Sequence, residues 1–159
     1  MGIRSTAKAI IMKNGKILLN KCIDKKNGNY YSLPGGGQHQ YETLHEALIR
    51  ECLEETGYTI IPIKFVALCE EICMDEKFRK KYPYYAHKMY HIFICELTNE
   101  EIKIPIEKDS SQVSSEWIEI NTIESIKILP KLLSENIRNI IDDTTPLFLG
   151  SEHIDFNHG

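Results

Sequence analysis

Short apolar segments separated by polar turns make up most of the chain, and this pattern is typical of β-strands. Thr6 to Met12 and Lys16 to Cys22 are two such segments, and Asn14-Gly15 between them is a favoured two-residue hairpin turn. The chain is therefore predicted to begin with a β-hairpin. Further extended segments are predicted at Tyr30 to Leu33, Thr59 to Cys73, His87 to Leu97 and Glu116 to Ile120.

Two amphipathic helices are predicted among these strands. The first begins after Thr43, whose hydroxyl precedes Glu46 by three residues in a capping box, and Gly57 suits a left-handed cap at its end. The second is predicted at Lys131 to Ile141, where leucines and isoleucines fall on one side. Strands, one helix, more strands and a second helix predict an α+β domain with a mixed sheet between helices.

The size and charge of the chain narrow its class. Its 159 residues suit one domain, to which we assign residues 1–142, with a C-terminal tail at 143–159 whose order stays open. The net charge of −4 gives no basic field for nucleic acid, so no stable nucleic-acid partner is expected. Five cysteines without paired metal spacing, and no apolar run of roughly 18 residues, favour a cytoplasmic protein without a membrane segment. Formation of a homodimer is left open.

The stretch from Leu33 to Tyr58 carries the candidate chemistry. Glu51, Glu54 and Glu55 are spaced i, i+3, i+4 in the C-terminal half of the predicted helix, so their carboxylates share one face. The helix dipole already makes this end negative, and like charges four residues apart repel each other. The cluster therefore predicts that a cation binds here.

The same stretch resembles the Nudix box, G-x5-E-x7-R-E-U-x-E-E-x-G-U, in which U is an apolar residue. Every fixed position is filled, although the cysteine and tyrosine at the two U positions are softer apolar residues than usual. The resemblance implies the Nudix fold, which is an α/β/α sandwich, and hydrolysis of a nucleoside diphosphate linked to another group. The matching residues are Gly36, Glu42, Arg50, Glu51, Cys52, Glu54, Glu55, Gly57 and Tyr58.

The resemblance also implies roles for single residues. The implied ligands of Mg²⁺, with Mn²⁺ as the alternative, are the Gly35 carbonyl and the carboxylates of the acidic cluster, Glu51, Glu54 and Glu55. Oxygen ligands of this kind suit a hard divalent ion. Glu51 or Glu54 is the first candidate for the general base, and Arg50 is implied to hold a glutamate of the motif in place.

A carboxylate from a distant loop is the other candidate for the general base. The predicted loop from Lys108 to Glu116 offers Asp109 and Glu116 just before a strand. Glu42 is implied to brace the glycine loop against the helix, because a carboxylate can accept several hydrogen bonds at once.

Substrate contacts are predicted around the box. Gly36 and Gly37 allow the backbone to approach a phosphate closely, and His39 follows them in the same loop. A long excursion between two strands carries Tyr84 and Tyr85, which either pack on the body of the domain or stack on a base.

The substrate class is inferred by elimination. Outside the box, the chain lacks the arrays that mark Nudix enzymes acting on NADH, coenzyme A or ADP-ribose. A MutT-like enzyme acting on a small-molecule nucleotide, such as a nucleoside triphosphate, is therefore the first hypothesis. A hydrolase of an ADP-sugar or another nucleoside diphosphate derivative is the alternative. A sensor that binds a nucleotide without cleaving it is a further one, although such domains usually lose carboxylates from the box.

Overall fold

The computed structural model describes residues 2–98, 112–142 and 145–158. Within these ranges the chain forms eight strands, three α-helices and two short 3-10 turns. The strands are β1 (Arg4–Lys13), β2 (Lys16–Asp24), β3 (Gly28–Ser32), β4 (Gly35–Gly37), β5 (Ile60–Cys73), β6 (His87–Leu97), β7 (Gln112–Glu119) and β8 (Leu147–Ile154). The helices are α1 (Leu44–Thr56), α2 (Glu76–Lys81) and α3 (Lys131–Asp142), and the 3-10 turns span Pro83–Tyr85 and Ile120–Ser125.

The strands form one mixed sheet in the order β3-β2-β1-β6-β5-β8, with β4 paired to β1 and β7 paired to β2. The pairs β1–β6 and β5–β8 are parallel, and the other pairs are antiparallel. The predicted hairpin is confirmed, since Asn14 and Gly15 have φ values of 51° and 74°. Its strands pair only at Met12–Ile17 and Lys13–Lys16, and β1 then runs between β6 and β4.

The core is divided between the two faces of the sheet. Neighbouring side chains of a strand point to opposite faces. In β2, Ile17 and Leu19 therefore pack in the cluster that contains α3, whereas Leu18 packs in the cluster that contains α1. The predicted α/β/α sandwich is confirmed. All five cysteines are buried free thiols.

The termini of α1 fix where the acidic cluster lies. The Thr43 hydroxyl accepts a hydrogen bond from the Glu46 amide at 3.1 Å, and the Glu46 carboxylate accepts one from the Thr43 amide at 3.4 Å. Gly57 adopts φ 78° and its amide donates to the Leu53 carbonyl at 3.0 Å. Both predicted caps are confirmed, and a cap of this kind is worth about 1 kcal/mol.

Part of the segment assigned to a tail extends the sheet. Strand β8 pairs in parallel with β5, and the buried His158 beyond it bonds to the buried carboxylate of Glu71. Lys88 donates to the His158 carbonyl at 3.1 Å, and Tyr90 donates to Glu71 at 3.2 Å. Burial raises the pKa of Glu71, but the bond from His158, the charge of Lys88 and the bond from Tyr90 outweigh it and lower that pKa.

Candidate active site

Strand β4 brings the glycine loop against both β1 and α1. Gly35, Gly36 and Gly37 pair with Lys8, Ala7 and Thr6 in turn. A Cβ atom on Gly35 would lie 2.0 Å from the Ala7 carbonyl oxygen, and one on Gly36 would lie 2.6 Å from the Glu51 carboxylate. The site needs glycine at these positions because backbone and carboxylate approach within the space of a side chain.

Arg50 ties the loop and the helix together. Its guanidinium donates to both carboxylate oxygens of Glu42, at 2.7 and 3.0 Å, and to the Gly37 carbonyl at 2.9 Å. It also donates to Glu51 at 2.8 Å and to Glu54 at 3.4 Å. Hydrogen bonds from Arg50 lower the pKa of Glu42 to about 2, so this brace is charged at neutral pH. The guanidinium therefore sets the positions of two carboxylates of the acidic cluster.

Glu55 is the buried member of the acidic cluster. One of its oxygens accepts hydrogen bonds from the Gly35 amide at 2.8 Å and from the Asn20 side chain at 3.3 Å. Gln112 donates to the backbone carbonyl of Glu55 at 3.2 Å and to Asn20 at 3.3 Å. Sequence reasoning missed Asn20 and Gln112. A single amide inside the apolar run of β2 is the signal that could have pointed to Asn20.

The acidic cluster forms one wall of a cleft of about 440 Å³. The same cleft is also lined from β1, β6 and the end of the β5–β6 connection, and these elements bring three cations that sequence reasoning did not select. Lysines inside predicted strands were the available signal for two of them. The acidic wall consists of Gly35, Gly36, Arg50, Glu51, Glu54 and Glu55, and the other lining residues are Arg4, Thr6, Lys8, Tyr85, Lys88 and Tyr90.

The remaining predicted substrate residues line this cleft or the cavity beside it. His39 lines the cleft, and its amide donates to Glu42 at 2.9 Å. Tyr85 lines the cleft as well, while Tyr84 lines an adjoining cavity that shares Tyr85 and His39 with it. Both rings are exposed, so the excursion that carries them leaves aromatic surface open to a ligand.

The two distant carboxylates have different outcomes. Asp109 lies outside the described residues. Glu116 pairs with Leu19 in the β2–β7 ladder, one position from the Ser115–Asn20 pair, so it points to the face away from Glu55. Its carboxylate accepts a hydrogen bond from the Tyr31 hydroxyl at 3.0 Å. The hypothesis that Glu116 approaches the acidic cluster is wrong for this arrangement.

The donor chemistry of the acidic wall fits a divalent metal ion. Three carboxylates and the Gly35 carbonyl supply only oxygen. The second oxygens of Glu51 and Glu54 have no hydrogen bond within the described residues, whereas the Gly35 carbonyl accepts one from Lys8 at 2.9 Å. In the part of the chain that the structure describes, no three carboxylate, imidazole or thiolate groups already converge on one point. The carboxylates lie where hydrogen bonds from Arg50 and from the Gly35 amide hold them.

The comparisons with known proteins agree with this geometry. The family model described as the NUDIX domain matches residues 3–143. The chain belongs to the Nudix family. Nudix hydrolases generally use divalent metals and act on small nucleotide substrates, which agrees with an oxygen-lined cleft. No helix among the described residues has both the length and the apolar character needed to span a bilayer.

Two relatives and one solved structure show how far the similarity extends. Nudix hydrolase 1 of Caenorhabditis elegans is 24% identical over 146 residues, covering 89% of this chain and 35% of that protein. RNA pyrophosphohydrolase of Novosphingobium aromaticivorans is 32% identical over 62 residues, covering 39% of this chain and 38% of that protein. The chain thus matches little more than a third of each relative. The crystal structure of the MutT protein from Bacillus halodurans aligns with a TM-score of 0.66 at 17% identity, covering 96% and 91% of the two chains, and shows the same fold.

Proposed function

We propose that this Nudix protein is a metal-dependent pyrophosphohydrolase that cleaves a nucleoside diphosphate linked to another group. A nucleoside triphosphate or a related nucleotide is the first candidate substrate, which corresponds to a MutT-like activity. The observation that carries the proposal is the cleft itself, which is lined both by the acidic cluster of α1 and by the cations Arg4, Lys8 and Lys88. Carboxylates alone repel a phosphate. Carboxylates that hold a divalent ion, in a cleft that also carries cations, attract one.

In this proposal Gly35, Glu51, Glu54 and Glu55 hold Mg²⁺, or Mn²⁺ in its place. The ion, when bound, neutralises charge on the phosphates and lowers the pKa of a coordinated water. Arg50 keeps Glu51 and Glu54 at the cleft by hydrogen bonds of 2.8 and 3.4 Å.

Glu51 or Glu54 then accepts a proton from the attacking water. The water oxygen forms a bond to phosphorus, the bridging phosphorus–oxygen bond breaks, and two phosphate-containing products leave. Both carboxylates qualify as the base because each lines the cleft and keeps one oxygen without a hydrogen bond within the described residues.

The proposed substrate contacts come from the glycine loop and from the two tyrosines of the β5–β6 connection. Gly36 and Gly37 let the phosphates approach the backbone, and His39 stands beside them. Tyr84 and Tyr85, with ring centroids 5.7 Å apart in an edge-to-face arrangement, offer a surface on which a base stacks. A base at the tyrosines and phosphates at α1 would place a nucleotide along the cleft.

A different nucleotide derivative is the second candidate. The relative from Novosphingobium aromaticivorans is named for RNA pyrophosphohydrolase activity, which also cleaves a pyrophosphate bond. The net charge of −4 favours a small substrate over an RNA chain. An ADP-sugar would use the same acidic cluster and differ only in the group beyond the pyrophosphate.

We expect the purified protein with Mg²⁺ or Mn²⁺ to release phosphate or pyrophosphate from at least one member of a broad nucleotide panel. The panel should contain nucleoside triphosphates, ADP-sugars, dinucleoside polyphosphates and a 5′-triphosphorylated oligoribonucleotide. Colorimetric phosphate detection, with and without added pyrophosphatase, measures the products. Chelation with EDTA should abolish the release, since water activation by the metal is lost. Tight binding of a panel member without any cleavage would favour a nucleotide sensor instead.

We expect Tyr84→Ala together with Tyr85→Ala to raise KM for the best nucleotide by roughly tenfold, the scale of one lost base–aromatic stack. Affinity for Mn²⁺, measured by calorimetry, should stay unchanged because neither ring touches the acidic cluster. Tyr82→Ala is the matched control, since Tyr82 lies in the same connection, is equally exposed, and packs on Phe78. An unchanged substrate profile in the double variant would return the two tyrosines to a packing role.

A further inference from the structure

Two neighbouring strands place a row of cations along the cleft. Strands β1 and β6 run in parallel, with Arg4 beside Lys88 and Lys8 four residues further along β1. Side chains alternate between the two faces of a strand, so Arg4 and Lys8 lie on the same face. Their Cα atoms are about 13 Å apart, since each of the four steps along the strand adds about 3.3 Å. All three side chains line the cleft that contains the acidic cluster.

The three cations of this row have few anionic partners among the described residues. Lys88 is only 3% exposed, and its ammonium lies 3.4 Å from Glu71, a carboxylate that it shares with His158. Lys8 donates only to uncharged groups within the described residues, the carbonyls of Leu33 at 3.4 Å and Gly35 at 2.9 Å. Like charges held side by side at a partly buried surface repel each other, so the row is stabilised by an incoming anion.

Arg4 is the member of the row with the most free donors. Its guanidinium lies over the rings of Tyr85 and Tyr84, 4.5 and 5.3 Å from their centroids, and beside the backbone of Gly37. Within the residues that the structure describes, it forms no hydrogen bond and no ion pair. Two aromatic faces therefore hold the guanidinium in place, while its N–H groups stay available to a ligand.

We propose that Arg4, Lys8 and Lys88 form a phosphate-binding row that holds the phosphates of the substrate in the cleft that contains the acidic cluster. Arg4 takes one phosphate in a bidentate contact beside the tyrosines, and Lys8 takes the next beside Gly35. This assignment rests on the proposed function for the identity of the anion. It adds three cations of β1 and β6 to the residues proposed to contact the substrate, with Arg4 as the member suited to a bidentate phosphate contact.

The row can be tested by binding, without turnover. Inorganic pyrophosphate is titrated by calorimetry into the 159-residue chain in the presence of saturating Mn²⁺, and Mn²⁺ alone is titrated separately. We expect Arg4→Met to weaken pyrophosphate binding at least about tenfold, the scale of a lost charge-assisted contact, and to leave Mn²⁺ affinity unchanged. Arg4→Lys should recover part of the loss, because lysine restores the positive charge but cannot form the bidentate contact of a guanidinium. Monophosphate should bind more weakly than pyrophosphate to the wild-type protein.

Lys16→Met is the control for loss of one positive charge, since Lys16 is exposed, lies outside the cleft and pairs with Glu119. Pyrophosphate binding by Arg4→Met at the level of this control would overturn the row, even if the nucleotide panel is hydrolysed. Arg4-dependent pyrophosphate binding in a protein that hydrolyses no panel member would instead support the row and contradict the proposed hydrolase. A thermal melt of each variant verifies that the protein remains folded.

Discussion

Glu54→Gln is expected to lower turnover at least about 100-fold while the protein keeps its fold. In the proposed site, the change replaces a charged oxygen ligand by a neutral amide of nearly the same shape, so metal activation of water suffers most. The structural cost should be small, because Glu54 is partly exposed and its one hydrogen bond within the described residues is the 3.4 Å contact with Arg50. Steady-state kinetics on the best panel substrate, together with Mn²⁺ titration, measures the effect.

Glu46→Gln is the matched control in the same helix. Glu46 lies in the first turn, outside the cleft, and glutamine can replace glutamate in a capping box. This control should retain wild-type turnover and a closely similar melting temperature. Wild-type turnover in Glu54→Gln would contradict the assignment of the acidic cluster to a metal, since a ligand of the ion cannot be lost without effect.

The sequence predicted the features of α1 that depend on local spacing. A capping box spans three residues, so Thr43 and Glu46 mark the start of the helix without knowledge of the rest of the fold. Helical spacing likewise placed the three glutamates on one face. It could not tell which partner each glutamate would find, and Glu55 proved to hold the Gly35 amide and Asn20.

The cations of the cleft are brought together by contacts between distant parts of the chain. Arg4 and Lys88 become neighbours through a parallel pairing across 84 positions, and the register of such a pair is set by the whole sheet. Strand β8 escaped prediction for a related reason. Its apolar positions are half buried or, at Phe148, exposed, and Gly150 interrupts them, so the period-two pattern of this edge strand is weak.

The glycine loop offers the second large effect. Gly35→Ala is expected to lower the free energy of unfolding by at least about 3 kcal/mol, combining backbone strain with overpacking. Gly35 has φ 130°, and an added Cβ would lie 2.0 Å from the Ala7 carbonyl oxygen. That oxygen belongs to the backbone of β1, which is paired on both sides with β4 and β6 and has little room to move. Urea unfolding followed by circular dichroism measures the change.

Substitutions at two other glycines distinguish the cost of a left-handed backbone from the cost of a steric clash. Gly28 has φ 69°, and an added Cβ there would meet no atom within 4 Å, so Gly28→Ala should cost only about 1–2 kcal/mol from its left-handed backbone. In Gly36→Ala the added carbon would meet the movable end of Glu51, at 2.6 Å, so turnover should fall at least about tenfold with a smaller loss of stability. Equal costs for Gly35→Ala and Gly28→Ala would mean that β1 yields to the added methyl group. The close approach of the glycine loop to β1 would then be a flexible contact, unable to hold the Gly35 carbonyl at a fixed position in the cleft.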